Sequence, residues 1–299
     1  MRLKKQVIPL AILTVACLVG GGIGISALVH AHVSAPAGAH HSRGSSETPE
    51  GSASRTPSQT SSDTGSSAAD ASAASGGKIA YLTFDDGPSE YTPTLLGILQ
   101  KENIKATFFI TFVGHDSAQK RAWLSEEAAD GETMGVHSWT HNYKKIYASA
   151  EAFRYDYATM RQIMIDTTGI VPQVCRFPGG TGNTVSITAS HGKVFMPTAV
   201  SIAEGLGLKP FDWNAGGEDA ELPYPTSAQF VRDILRDAKG KTRIVILMHD
   251  SHLFSVQAVP ELVSALRAQG YGFGVLTAST PSMREPYAAK SARSSKIKG

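Results

Sequence analysis

Cysteine is almost absent: Cys17 and Cys175 are the only two in 299 residues. They lie on opposite sides of a long polar stretch, which excludes a disulfide within the folded part. A domain of this chain outside the cell must therefore stand on its own apolar core. Val, Leu, Ile, Met and aromatic residues are missing altogether from Ser34 to Gly77, 44 residues dominated by Ser, Ala, Thr, Gly and Pro. Such a segment cannot bury enough apolar surface to fold, and as a flexible coil it spans roughly 35–40 Å. Charge of one sign is not in excess. A formal +2 over the whole chain argues against nucleic acid as a partner. No internal repeat is evident. There is no Gly-x-Ser-x-Gly elbow for a serine hydrolase, and Leu235 stands where a phosphate loop ending in Gly240-Lys241-Thr242 needs its first glycine. Gly205-Leu206-Gly207 reads as a turn.

At the N-terminus Arg2, Lys4 and Lys5 precede 23 uncharged residues from Val7 to Val29, long enough to cross ~30 Å of hydrocarbon. The basic side stays in the cytoplasm. Ser26-Ala27 and Ala31-His32-Val33 offer small-residue cleavage sites, so residues 1–33 read as a membrane anchor (transmembrane about 7–29) or as a cleaved signal peptide. A lipid-modified Cys17 fits less well, because apolar residues continue beyond it. The expected location is the cell membrane, single-pass with an extracytoplasmic domain, or outside the cell if the segment is cleaved. Residues 34–77 form a linker, 78–283 one domain with a substantial core, and 284–299 a disordered basic tail. That tail carries Arg284, Lys290, Arg293, Lys296 and Lys298 and suits anionic wall polymers. His30, His32, His40 and His41 read as solvated histidines of the linker region. No obligate protein partner is evident.

Within the domain, apolar runs alternate with helical patterns. Strands are expected at 78–84, 106–112, 133–136, 173–177, 243–248 and 273–276, and helices at 92–103, 118–129, 150–164, 226–238 and 256–269. That alternation predicts parallel βα units. Asp85, His137, Arg176, Asp212 and His249 each follow a separate strand-like run. In a parallel barrel all such ends share one face, where barrels of this kind carry their chemistry. The expected fold is an α/β parallel (β/α) barrel, a distorted seven- or eight-stranded TIM-like barrel.

The residue types at that face point to metal chemistry. Two imidazoles and one carboxylate are a usual ligand set for a catalytic zinc with an open position for water. His137 and His141 have the i, i+4 spacing that puts both rings on one face of a helical turn. No Glu stands between them as in a zinc-peptidase motif, so a base has to come from elsewhere. Asp85-Asp86 supplies it: adjacent carboxylates point in different directions, one toward the metal and one toward its water. A third imidazole, His249, remains to move protons. His252, His115 and His191 read as loop residues. The set predicts a metal-dependent hydrolase.

Five ordered motifs make the chain resemble the polysaccharide deacetylases, the NodB-homology domain of carbohydrate esterase family 4. They are Thr83-Phe84-Asp85-Asp86-Gly87-Pro88, His137-Ser138-Trp139-Thr140-His141, Arg176-Phe177-Pro178-Gly179-Gly180, Asp212-Trp213-Asn214 and Leu247-Met248-His249. The resemblance spans about Lys78 to Thr277. It implies that Asp86, His137 and His141 bind Zn²⁺ or another divalent metal such as Co²⁺ or Mn²⁺. Asp85 takes the proton of a water acidified by that metal, and the backbone N–H of Gly179 helps to stabilise the oxyanion. His249 protonates the leaving amine, Arg176 keeps Asp85 ionised and Asp212 keeps His249 protonated. Trp213 and Leu247 wall the acetyl pocket. Many family members carry a bulky residue where Gly179 stands, which removes a subsite wall here. The implied activity is removal of acetyl groups from a cell-wall polysaccharide, with the N-acetylglucosamine of peptidoglycan foremost. Chitin-like oligomers, poly-N-acetylglucosamine and O-acetylated xylan are open to the same mechanism. An inactive glycan-binding module is the alternative of another class. It predicts loss of the base or a ligand, and none of Asp85, Asp86, His137, His141 or His249 is missing.

Overall fold

A computed structural model describes residues 77–221 and 223–287. The segment read as anchor or signal (1–33), the linker up to residue 76 and the tail beyond Tyr287 lie outside the described residues. Among the described residues no helix is long and apolar enough to cross a membrane.

The elements run β1 (Lys78–Gly87), α1 (Thr92–Lys101), β2 (Thr107–Thr111), α2 (Ala118–Ala129), β3 (Thr133–Ser138), α3 (Tyr143–Ile146), α4 (Ala150–Thr168), β4 (Val174–Cys175), α5 (Val185–Ala189) and α6 (Met196–Gly205). Then come β5 (Lys209–Pro210), β6 (Ala215–Gly216), a 3₁₀ turn (Glu218–Ala220), α7 (Ser227–Ala238), β7 (Arg243–His249), α8 (Leu253–Ala268) and β8 (Tyr271–Gly274). The sheet order is β5-β4-β3-β2-β1-β7-β6, and every pair is parallel. One edge of β1 is shared: β8 pairs with Lys78–Tyr81 and β2 with the stretch from Thr83. No ladder joins β5 to β6 among the described residues. Residues 211–214 bridge that gap themselves, with Phe211 N–H donating to the Cys175 carbonyl (2.9 Å) and Asn214 N–H to the Val245 carbonyl (3.0 Å). The result is the expected parallel α/β barrel, eight strands curled into an incomplete ring.

Strand periodicity decides what fills it. From β1 and β7, Ala80, Leu82, Phe84, Ile244, Ile246 and Met248 pack outward against the helices. Ile79, Tyr81 and Val245 face inward with Phe109, Val174, Phe211 and Leu276. The inward row therefore reads Ile79, Tyr81, Thr83, Asp85 on β1, and the same parity puts His249 inside on β7. Gly135, then His137, is the inward row of β3; a Cβ at Gly135 would come within 2.7 Å of the Phe109 ring. The apolar interior occupies the lower barrel, and the polar residues come where each strand ends. Helix α4, capped by the Ser149 hydroxyl and ended by left-handed Gly169, buries Phe153, Tyr157, Met160 and Met164 under β3 and β4. Each fully buried side chain of that size contributes ~1.5–3 kcal/mol.

Candidate active site

Asp85 is the last inward residue of β1, level with Phe109 on β2 and His249 on β7. Its pairing partner on β2 then slips: Asp85 faces Phe109 and Gly87 faces Ile110, so Asp86 is the extra residue of a bulge. Asp86 sits at φ +69°. Alternation would have sent its side chain outward; the bulge turns it back beside Asp85. Below it, a Cβ on Gly87 would lie 2.5–2.7 Å from the buried Asp250 carboxyl, so glycine is required there.

Asp86 Oδ1 lies 3.2 Å from His141 Nε2 and 3.5 Å from His137 Nε2, while Oδ2 lies 3.9 Å from His249 Nε2. The two histidines meet differently from the expected helical turn. His137 is in β3, whereas His141 lies in the following loop at φ +48°. Asp156 of α4 shapes that loop, accepting from the N–H groups of Trp139 (2.7 Å) and Thr140 (3.0 Å) and the Thr140 hydroxyl (2.6 Å). His141 N–H donates to the Ser138 hydroxyl at 2.6 Å. Buried His137 donates from Nδ1 to the Arg176 carbonyl, 2.9 Å away, a bond that fixes its tautomer and leaves the Nε2 lone pair facing Asp86. Burial, against the charge of Asp86, lowers its pKa to about 3, so the ring is neutral. Asp86 Oδ1 is itself buried without a hydrogen-bond partner. An orphaned carboxylate oxygen facing two imidazole Nε2 atoms fits a divalent cation.

Arg176, fully buried, organises the opposite wall. Its Nη1 donates to Asp85 Oδ1 (2.8 Å) and the Thr83 hydroxyl (2.6 Å), and Nε to the Phe211 carbonyl (3.1 Å). Asp85 Oδ2 stays free of it, 3.8 Å from His137 Nε2. Burial raises the Asp85 pKa and prevails over the lowering charge of Arg176. A carboxylate with a raised pKa and one oxygen open is suited to accept a proton.

His249 departs from expectation. Asp212 does not touch it: its carboxylate accepts from the Thr181 N–H (2.9 Å), the Thr181 hydroxyl and the Glu285 N–H (2.6 Å). That carboxylate is taken up by the loop after β4 and the chain at Glu285. Buried Asp219, in the turn after β6, takes the role instead. Its Oδ1 lies 2.9 Å from His249 Nδ1, and its Oδ2 accepts from His249 N–H (2.8 Å) and the Ser255 hydroxyl (2.6 Å). Burial favours the neutral ring, but the bond to Asp219 and the charges of Asp219, Asp85 and Asp86 outweigh it and raise the His249 pKa to about 9. Nothing in the sequence marks Asp219, since β6 is too short to read as a strand.

Gly179 adopts φ +77°, and its N–H has no hydrogen-bond partner among the described residues. A Cβ there would lie 3.1 Å from the Tyr143 ring, which stands edge-on to His141 (5.6 Å between centroids, 89°). Tyr143, which the sequence reading passed over, thus fills the volume at Gly179. The Pro178 carbonyl beside it accepts from the Tyr147 hydroxyl at 2.7 Å. Trp213 and Leu247 flank Gly217, whose Cβ would lie 3.4 Å from the indole Nε1 and 3.3 Å from Leu247 Cδ2. Those two side chains therefore close on the same glycine, next to the turn that carries Asp219. His115 and His191 lie in loops; His252 caps the start of α8, with its ring 5.7 Å from that of His249.

The chain is similar to proteins of known family. A family profile described as polysaccharide deacetylase matches residues 72–194. The chain is 34% identical over 200 residues to a peptidoglycan-N-acetylglucosamine deacetylase of Bacillus cereus, covering 66% of this chain and 68% of that one. It is 30% identical to chitin deacetylase 1 of Cryptococcus neoformans, over 63% of this chain and 41% of that one. Among solved structures, the catalytic domain of peptidoglycan N-acetylglucosamine deacetylase from Eubacterium rectale superposes with a TM-score of 0.66 at 38% identity. That match covers 70% of this chain and 93% of the other.

Proposed function

This chain belongs to the polysaccharide deacetylase family, and we propose that it hydrolyses the acetamide of N-acetylglucosamine in peptidoglycan, releasing acetate. The observation that carries the reading is the carboxylate pair at the barrel mouth. One carboxylate is bulged toward His137 and His141 with a partnerless oxygen, the other is held by Arg176 with one oxygen open.

Asp86, His137 and His141 would hold the cation, with Zn²⁺ the first candidate and Co²⁺ or Mn²⁺ as substitutes. When bound, a divalent cation supplies a Lewis acid that acidifies water and polarises the acetamide carbonyl. Asp85 accepts the proton of the attacking water through Oδ2, while Arg176 keeps Oδ1 in place. The Gly179 N–H is free to donate to the oxygen that becomes negative. Charged His249, held by Asp219, gives a proton to the amine as it leaves. Trp213 and Leu247 enclose the acetyl methyl. Arg176 and Asp212 act as positioning groups, Asp212 by holding Thr181 and the chain at Glu285.

Peptidoglycan is favoured because the Bacillus cereus and Eubacterium rectale relatives carry that specificity in their names. The N-terminal apolar run and the polar linker suit a polymer just outside the membrane. The second substrate is chitin, favoured by the Cryptococcus neoformans relative. Incubating the purified protein with peptidoglycan, chitin oligomers and acetylated xylan, with Zn²⁺ or chelator, tests all three. Acetate released from peptidoglycan and abolished by chelation is expected. Saturable binding without acetate at any divalent metal would leave the glycan-binding module instead.

A further inference from the structure

We propose that Asp219, His249 and His252 form a second site for a divalent cation, inhibitory and sharing no ligand with the Asp86–His137–His141 set. The inference rests on the proposed role of His249 as proton donor. One ligand atom of each residue lies within 4.8 Å of those of the other two, a separation that small side-chain rotations close onto a common ion. Asp219 is already aimed there. Its carboxylate is fixed by His249 Nδ1 at 2.9 Å, His249 N–H at 2.8 Å and the Ser255 hydroxyl at 2.6 Å.

The second, independent observation is His252 itself. Its Nδ1 is buried and has no hydrogen-bond partner, a desolvation cost that a ligated ion would remove. The His252 ring is flanked by Tyr224 (4.9 Å between centroids) and Phe254 (5.7 Å), so fixing it for ligation loses little rotamer freedom. Two imidazoles and one carboxylate select Zn²⁺, Cu²⁺ or Ni²⁺ over Mg²⁺ or Ca²⁺. A cation at this point takes the place of the proton between His249 Nδ1 and Asp219. The ring then can no longer be the imidazolium that protonates the leaving amine. Excess zinc would thus stop turnover while the catalytic ligands remain filled.

The probe is zinc alone on the full chain. Bound metal per chain is measured during titration of the wild type, of His252→Phe, which keeps a ring between Tyr224 and Phe254, and of His141→Ala. The wild type should bind two ions, the weaker one tracking loss of deacetylation. His252→Phe should bind one, keep its rate at low zinc and resist inhibition by at least ~10-fold, since even outer-sphere changes weaken metal sites that much. His141→Ala should retain the inhibitory ion and lose the other. A single ion in the wild type up to millimolar zinc overturns the proposal, as does unchanged second-ion binding in His252→Phe. If His252→Phe does not fold, His252→Gln is read by the same criteria. Metal content decides the matter even if no glycan is deacetylated, so failure of the functional reading remains distinguishable.

Discussion

Asp85 and Asp86 are chemically identical neighbours whose surroundings give them different work. Asp85 keeps one oxygen on the buried Arg176 guanidinium and one open; Asp86 turns its partnerless oxygen to the Nε2 atoms of His137 and His141. Replacing either with Asn separates the two roles. Asp85→Asn should retain metal, because Asp86, His137 and His141 remain, yet lose ~10²–10⁴-fold in rate, the usual loss of a general base. Asp86→Asn should instead lower metal affinity and be partly rescued by added metal kept below the inhibitory range. Occupancy of the Asp86–His137–His141 site and acetate release, both read at metal levels below the inhibitory range, give the answer. Metal loss in Asp85→Asn with retention in Asp86→Asn reverses the assignment. His249→Ala should resemble Asp85→Asn, with the Asp86–His137–His141 metal intact and turnover slow.

At the scale of elements, β1 shows what could be read in advance and what could not. Near-continuous apolar runs through Ile79–Phe84 and Ile244–Met248 announce two buried strands, and residues at the ends of such runs fall on one face. That logic brings Asp85, His137, Arg176 and His249 together correctly. It does not reveal the bulge, because a slipped register depends on the β2 partner, and the structure shows Asp86 facing inward only through it. Strands of two residues, as in β5 and β6, leave no periodic signal, so nothing in the sequence points to Asp219 and Asp212 is read in its place. Helices α5 and α6 were likewise missed, their short apolar stretches lying among loop residues. The bulge offers its own test. Gly87→Ala forces a methyl into the Asp250 carboxyl, an overpacking that typically costs ~1–3 kcal/mol. The variant should melt earlier and bind metal more weakly, because Asp86 moves with residue 87. Asp250→Ala, which opens that space, should restore part of both in the double variant, a non-additivity expected of touching groups. Equal metal affinity in Gly87→Ala and wild type would show that the turn does not position Asp86.

Over the whole molecule, the buried titratable groups set how metal-free stability depends on pH. The His137 pKa drops from 6.5 to about 3 on folding. Between those values the unfolded chain binds more protons, so this group destabilises the fold as pH falls below 6.5. Asp250 opposes it: burial raises its pKa from 3.8 to about 7, so its contribution is present at low pH and is lost as pH rises through about 7. The two offset each other on the acid side and flatten the profile there. His249 acts in the window above, with the same sign as Asp250. Its pKa, raised from 6.5 to about 9, makes the folded chain bind the extra proton, so its stabilisation is full below 6.5 and is lost as pH rises through about 9. Chelator-treated protein should therefore melt at steadily lower temperature from pH 7 to pH 9, by roughly 5 °C or more given the size of the shift and of the domain. Asp219→Asn removes the partner that holds the charged ring. It should lower stability at pH 7, flatten the decline above it, and shift the alkaline limb of deacetylation to lower pH with the Asp86–His137–His141 site still filled. If the variant keeps both the wild-type decline and the wild-type alkaline limb, the proton resides on a group other than the Asp219-held imidazole.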